Sequence, residues 1–341
     1  MLNLNALADT AHRMVTPGKG ILAADEGTSS IQKRFDSIKV PCTEENRRDY
    51  REMLFSAKDA MKQYVSGVIL FDETIRQRAK NGAALVSLIQ DTGAIPGIKL
   101  DAGAKPLALH EGETLTEGLD GLAGRIKEYV GMGAKFAKWR ATIDPSGRHP
   151  SHDAIHANAH ALARYAALCQ EGGLVPMVEP EVLMDYDNDI DTCMRVTEWI
   201  LKETYQELYY AGVNLEGTIL KPNMVISGKK CAKQASREEV AEKTVTVLKR
   251  CVPAAVPGIA FLSGGQSDED ATAHLHLMNA IGNLPWRLTF SYGRALQSAA
   301  MKAWVGKPEN VPAAQRAFAH RAKMNALATS GKWQQTFEMA A

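Results

Sequence analysis

The residues Leu215-Glu216-Gly217-Thr218-Ile219-Leu220-Lys221-Pro222-Asn223 carry a strand-like apolar segment straight into a lysine, and a proline follows to stop the strand. A buried ammonium loses its hydration, so a lysine in that place is costly unless it is used. An ordinary lysine has a pKa of about 10.4. Desolvation or a neighbouring cation can lower such a value by roughly 2–3 units and free a nucleophilic amine for Schiff-base chemistry. A lone strand-end lysine is most often a solvated rim residue. Lys221 has company.

Other apolar runs end in the same manner. Their ends read Ala23-Ala24-Asp25-Glu26, Lys99-Leu100-Asp101, Lys138-Trp139-Arg140, Glu179-Pro180-Glu181, Ser263-Gly264-Gly265-Gln266 and Ser291-Tyr292-Gly293-Arg294. Lys99/Asp101, Lys138/Arg140 and Glu179/Glu181 are spaced i, i+2, so both members of each pair point to one face of a strand. Any one pair could be a structural ion pair or a solvated rim. Polar groups at so many strand ends argue for a shared site.

The chemistry divides in two. Lys99, Arg294, Ser263 and the Gly264-Gly265 turn suit an anion, because glycines let backbone N–H groups approach a phosphate. Ser30 and Arg34 could hold a second phosphate, and two anion sites on opposite sides of one mouth suggest a sugar phosphorylated at each end. Lys221, Lys138, Glu179 and Asp25 supply covalent and acid–base chemistry. The histidines 149, 152, 156 and 160 fall at helical spacing, but no carboxylate of a known metal motif accompanies them, so they read as a solvated helix face. The methionines read as core filler, and Trp139 and Trp286 as packing residues.

The elements that must position these groups recur in alternation. Apolar or β-branched runs cover 18–26, 65–73, 95–101, 135–143, 174–182, 216–224, 258–265 and 288–293. Stretches of helical periodicity include 45–64, 118–132, 151–171, 189–211, 236–251 and 268–281. Strand alternating with helix predicts a parallel sheet with helical crossovers, and eight such units fit a closed (β/α)8 barrel, whose active sites lie at the C-terminal ends of the strands. The alternative is an open doubly wound sheet. Gly18-Lys19-Gly20 precedes a strand rather than following one, which gives that alternative little support. One barrel domain is expected over 1–341, with 308–341 as a C-terminal extension. That extension comprises a helix over 313–327 and a loosely held polar end over 330–341.

Composition narrows the partners. Of 341 residues, 45% are hydrophobic, and 40 basic residues offset 39 acidic ones for a net charge of +1. That balance excludes the broad basic surface of a nucleic-acid binder, and no apolar run reaches the roughly 18 residues of a membrane span. Five scattered cysteines without a CxxC pair predict neither a disulfide framework nor a zinc site. Residues 1–13 lack a charged segment followed by an apolar core, so a cytoplasmic protein without a signal peptide is expected.

Several stretches together resemble one family, the class I (Schiff-base) fructose-1,6-bisphosphate aldolases. They are Gly18-Lys19-Gly20-Ile21-Leu22-Ala23-Ala24-Asp25-Glu26, Thr43-Glu44-Glu45-Asn46-Arg47-Arg48, Gly112-Glu113, Phe136-Ala137-Lys138-Trp139-Arg140, Val175-Pro176-Met177-Val178-Glu179-Pro180-Glu181, and the segments 215–223, 261–266 and 290–296. The resemblance spans about 11–330. It implies Lys221 as the Schiff-base lysine, Glu179 as acid/base, and Asp25 and Lys138 as groups that orient substrate hydroxyls and assist carbon–carbon cleavage. It implies Ser263, Gly264, Gly265, Ser291 and Arg294 for the 1-phosphate, and Arg34, Ser30 and Lys99 for the 6-phosphate. Arg140 and Gly293 complete the expected substrate-binding set. A phosphosugar substrate, no cofactor, no metal and a homotetramer are further implications.

Two departures from the family's pattern stand out. Gly27-Thr28-Ser29-Ser30 replaces the commoner Ser-Thr-Gly-Ser, which puts one hydroxyl contact to the 6-phosphate in question. The chain ends Phe337-Glu338-Met339-Ala340-Ala341, whereas animal members end in a tyrosine that aids enamine protonation, so the protonating group stays unassigned. The rival readings are another Schiff-base phosphosugar aldolase or transaldolase, and a catalytically silent scaffold on the aldolase fold.

Overall fold

In a computed structural model, which describes residues 3–339, eight parallel strands close into a barrel. They are β1 (Gly20–Ala24), β2 (Val65–Leu70), β3 (Ile95–Lys99), β4 (Phe136–Ile143), β5 (Val175–Val182), β6 (Ile219–Leu220), β7 (Gly258–Phe261) and β8 (Arg287–Tyr292). Each pairs with its neighbours in sequence, and β1 closes the ring by pairing with β8 through Ile21↔Ser291 and Leu22↔Tyr292. The expected barrel is therefore present, with all eight strands.

Helices cover the outside, and capping residues fix where many of them begin. Thr43, Ser151, Asp189, Ser236 and Ser267 each accept a hydrogen bond from the amide three residues on. That satisfies a donor the first helical turn would otherwise leave unpaired. The single helix expected over 45–64 is two, Glu44–Phe55 and Lys58–Tyr64, because the chain breaks at Ser56 and Ala57. The strand expected over 216–224 pairs over two residues only; a 3-10 turn, Leu215–Gly217, takes up its start.

Strand side chains alternate between two cores. Leu22, Val68, Trp139 and Val178 face outward into the large cluster shared with the helices. Ile21, Ile69, Ile95, Phe136, Val175, Met177, Ile219 and Ala260 face inward and form the barrel floor. Helix Leu4–Met14 seals that floor with Leu7, Ala11 and Met14, which recur on one face at i, i+4, i+7. Gly97 makes room for the Phe136 ring, since a Cβ there would lie 2.3 Å from the ring.

The polar C-terminal end is held more firmly than expected. Glu338 accepts from Trp333 Nε1 at 2.9 Å and pairs with the buried Arg321 guanidinium. Arg321 in turn donates to Asp268 O at 2.9 Å, so the segment is tied to two helices through residue 338. Polarity alone suggested a loose end; the tie depends on an arginine that only the fold brings near. Residues 340–341 of that segment lie outside the described residues.

Candidate active site

On β4 the inward positions read Phe136, Lys138, Arg140, and on β5 Val175, Met177, Glu179, Glu181. Each strand thus passes from apolar to charged as it rises out of the floor. The charged ends surround a cavity of about 580 Å³. Every residue expected at the site lines it except Gly265, which is set back with φ +78° against Met184. Any part for Gly265 in anion binding therefore goes through the shape of its turn rather than direct lining.

Lys221, Lys138 and Glu179 are almost fully buried, at 4%, 4% and 3% exposure. Glu179 stands between the two lysines. Its Oε1 lies 3.1 Å from Lys221 Nζ and its Oε2 3.3 Å from Lys138 Nζ. Lys138 Nζ also meets Asp25 Oδ2 at 2.7 Å and Asp101 Oδ2 at 3.8 Å. Lys99 Nζ lies 3.3 Å from Asp101 Oδ1, and Arg140 pairs with Glu181 at the rim.

The ionisation follows from this packing. Burial by itself would raise the Asp25 carboxyl, but the charges of Lys138 and Lys221 outweigh it and hold the group well below the usual carboxylate range. Glu179 is also lowered: burial raises it, and Lys221, Lys138 and Arg140 more than offset that. Burial would lower Lys138, yet Asp25, Glu179 and Asp101 push it above the ordinary lysine value. Asp25 and Glu179 are therefore held as carboxylates near neutrality, and Lys138 as a cation.

Three of the groups expected to bind anions, Ser30, Arg34 and Arg294, lie on helices that begin at the cavity. Helix Thr28–Ser37 is capped by Gly27, and helix Arg294–Trp304 by Gly293. Glycine has no side chain to occupy the first amides, which leaves N–H groups and the positive helix end for a ligand. Ser29 and Ser30 line the cavity from the first helix, so Ser29 can supply the hydroxyl in question. Ser291 Oγ is buried and unpartnered, as a group awaiting a ligand would be.

One expectation about place is corrected. Arg34 was set on the opposite side of the mouth from Gly293 and Arg294. In the fold a Cβ on Gly293 would stand 3.4 Å from Arg34 Nη2. Ring closure makes β1 and β8 neighbours, and linear order conceals that. Arg34 is held there by Glu26, whose Oε1 lies 2.5 Å from Arg34 Nη1, while Glu26 Oε2 is 2.8 Å from Arg51 Nη2. Arg51, from helix Glu44–Phe55, carried no sequence signal for a site. Asp101 and Glu181 stand in the i, i+2 pairs and Glu26 in a strand-end motif, but the sequence assigns none of them a role.

The histidines are also placed differently. His152, His156 and His160 do form an exposed face, but carboxylates from helix Ile190–Tyr210 approach it. His149 precedes the helix and faces Glu113 at 3.6 Å. Trp139 and Trp286 are packing residues, both buried. Among the described residues, no helix is long and apolar enough to cross a membrane.

Comparison with known proteins agrees with this geometry. The family model described as fructose-bisphosphate aldolase class-I matches residues 6–341. A protein of Xanthomonas campestris named as a probable fructose-bisphosphate aldolase class 1 is 58% identical over 333 residues, 97% of this chain and 99% of that one. A cytosolic fructose-bisphosphate aldolase of Arabidopsis thaliana is 54% identical over 317 residues, 93% of this chain and 80% of that one. The crystal structure of the Plasmodium falciparum fructose-bisphosphate aldolase, solved with TRAP and a small-molecule inhibitor, superposes with a TM-score of 0.95 at 47% identity, covering 97% of this chain and 95% of that one.

Proposed function

This chain belongs to the class-I fructose-bisphosphate aldolases, lyases that work through a lysine Schiff base, and from that premise we propose how its own residues divide the reaction. The observation that carries the assignment is the Glu179 carboxylate, one oxygen on Lys221 and the other on Lys138.

Glu179 Oε1, 3.1 Å from Lys221 Nζ, first takes a proton from that nitrogen, and the freed amine attacks the ketone carbon of fructose 1,6-bisphosphate. A second nitrogen proton passes to the ketone oxygen, which gives the carbinolamine. Glu179 returns its proton to the carbinolamine hydroxyl, water leaves, and a carbon–nitrogen double bond forms. The iminium is the electron sink for breaking the bond between carbons 3 and 4. Asp25 or Glu179 removes the proton of the 4-hydroxyl, and both are held as carboxylates by the lysines around them. Lys138 stays cationic throughout and orients the substrate hydroxyls. Glyceraldehyde 3-phosphate departs, the enamine is protonated, and hydrolysis of the imine frees dihydroxyacetone phosphate.

The 1-phosphate is assigned to Ser263, Gly264, Ser291, Gly293 and Arg294, with Gly265 shaping the turn. The 6-phosphate is assigned to Ser29, Ser30 and Lys99. Its nearness to Gly293 supports grouping Arg34 with the first set rather than the second. A homo-oligomer, by family a tetramer, and a cytoplasmic location complete the proposal; the cytosolic relative supports the latter.

Borohydride reduction with dihydroxyacetone phosphate and EDTA, followed by peptide mass mapping, tests the assignment. A substrate-sized adduct on Lys221 is expected. An adduct on another lysine, or none with EDTA-sensitive cleavage, would overturn it. Light scattering tests the oligomer.

A further inference from the structure

Two crossover helices carry a second cluster of chemistry-bearing groups, outside the barrel and away from the cavity. Helix His152–Glu171 follows β4, and helix Ile190–Tyr210 follows β5. His156 and His160 stand one turn apart on the first, Glu203 and Glu207 one turn apart on the second. His156 Nδ1 lies 2.9 Å from Glu203 Oε1 and 3.6 Å from Glu207 Oε1. His160 Nδ1 lies 2.8 Å from Glu207 Oε2.

Three features set this apart from an ordinary surface ion pair. One donor atom from each of His156, Glu203 and Glu207 lies within 4.8 Å of the others. Ligands about 2.0–2.1 Å from a tetrahedral ion stand about 3.4 Å from one another, so small rotamer changes suffice to close around one. Glu207 is only 8% exposed, yet both of its oxygens are aimed at imidazoles. A buried carboxylate needs a cation or hydrogen-bond donors beside it, and here both neighbours are ring nitrogens, atoms that also ligate metals. The histidines are also aligned: the rings of 152, 156 and 160 stack at centroid spacings of 5.9 and 6.2 Å.

We propose that His156, Glu203 and Glu207 bind a divalent transition-metal ion of the zinc class, with His160 holding the second Glu207 oxygen in place. The carboxylates would suit many divalent ions, but an imidazole nitrogen among the donors favours zinc over magnesium or calcium. The ion takes the place of hydrogens now shared between ring and carboxylate. Any proton on a ligating Nδ1 leaves to solvent as the metal–nitrogen bond forms. Three donors come from protein and water can take the fourth position; lying between two helices outside the barrel, the ion ties together the helices behind β4 and β5, the strands that carry Lys138 and Glu179. It takes no part in the cleavage reaction.

Calorimetric titration of the full chain, stripped with chelator and given zinc chloride, tests this. The parent protein is expected to bind one equivalent and to melt at a higher temperature with zinc. His156→Ala and Glu203→Gln are each expected to weaken that binding by at least ~10-fold and to abolish the melting shift. Both keep the metal-free aldol-cleavage rate and melting temperature of the parent, which separates lost binding from lost folding. Partly exposed thiols, Cys42, Cys231 and Cys251, also attract zinc, and both variants retain them. Binding and melting shifts equal in parent and variants, or no saturable zinc binding in the parent, would overturn the proposal.

Discussion

The two ends of the barrel are built from the same strands and the same inward-facing positions, yet they share almost no chemistry. The floor is Ile21, Ile69, Ile95, Phe136, Val175, Met177 and Ile219, sealed by helix Leu4–Met14. The mouth, reached two residues further along β4, β5 and β6, is Lys138, Glu179 and Lys221. The floor is stabilised by apolar burial, which depends on shape. The mouth is held by mutual charge compensation, which depends on every partner being present. A dry floor is also what makes the charges above it count, because interactions strengthen as water is excluded.

Substitutions at the mouth and the floor should therefore fail in different ways. Lys221→Ala should lower cleavage by more than ~10⁴-fold, as removal of a nucleophile does, with the fold intact by circular dichroism; substantial residual metal-free turnover would break the distinction. Glu179→Gln keeps the shape but loses the proton shuttle, and steady-state kinetics should show kcat down by ~10²–10⁴-fold. Phe136→Ala, in the floor, should cost ~3–5 kcal/mol in denaturant unfolding while folded molecules keep most of their turnover.

The acid limb of stability sharpens the contrast. The Asp25 carboxyl is depressed in the folded state, so its contribution is present above the unfolded value of about 3.9 and is lost as pH falls toward the folded one. Asp25→Asn should accordingly be less stable than the parent at pH 7, with the difference shrinking below about pH 4; a constant difference across that window would remove Asp25 from the network. Ser291→Ala should have the smallest effect. Its hydroxyl has no partner in the free protein, so the melting temperature should hold or rise. KM should increase by no more than ~10-fold, the worth of one hydrogen bond of about 1 kcal/mol.

Much of the mouth was legible because strand geometry is periodic. Side chains at i, i+2 must share a face, and a lysine after Ile219-Leu220 has to be either wasted or used. The strands were legible for the same reason, their buried runs being bounded by turns and helices. Contacts set by closure were not legible. Nothing local places Arg34 against Gly293, Arg51 on Glu26, or Glu203 and Glu207 beside the histidines. The break at Ser56-Ala57 has no glycine or proline to announce it. The three-residue strands Ala104–Pro106 and Thr114–Thr116 are too short to show a period. The spacing of Leu7, Ala11 and Met14 was visible, but what it would cover was not.

The seam where β1 meets β8 also has a consequence in time. Thr289 Oγ1 donates to Lys19 O across 270 positions, and Gln297 Nε2 to Ala23 O across 274. Gly18 N donates to Thr329 Oγ1 across 311. The first segments to leave the ribosome are thus the last to find their partners. Until the final strand is made, β1 keeps an open edge and the apolar face of the first helix has no closed ring to enter. Contacts of such long range slow folding and prolong the exposure of that edge. A chain cut short before residue 287 would expose both permanently, whatever the state of its Lys221.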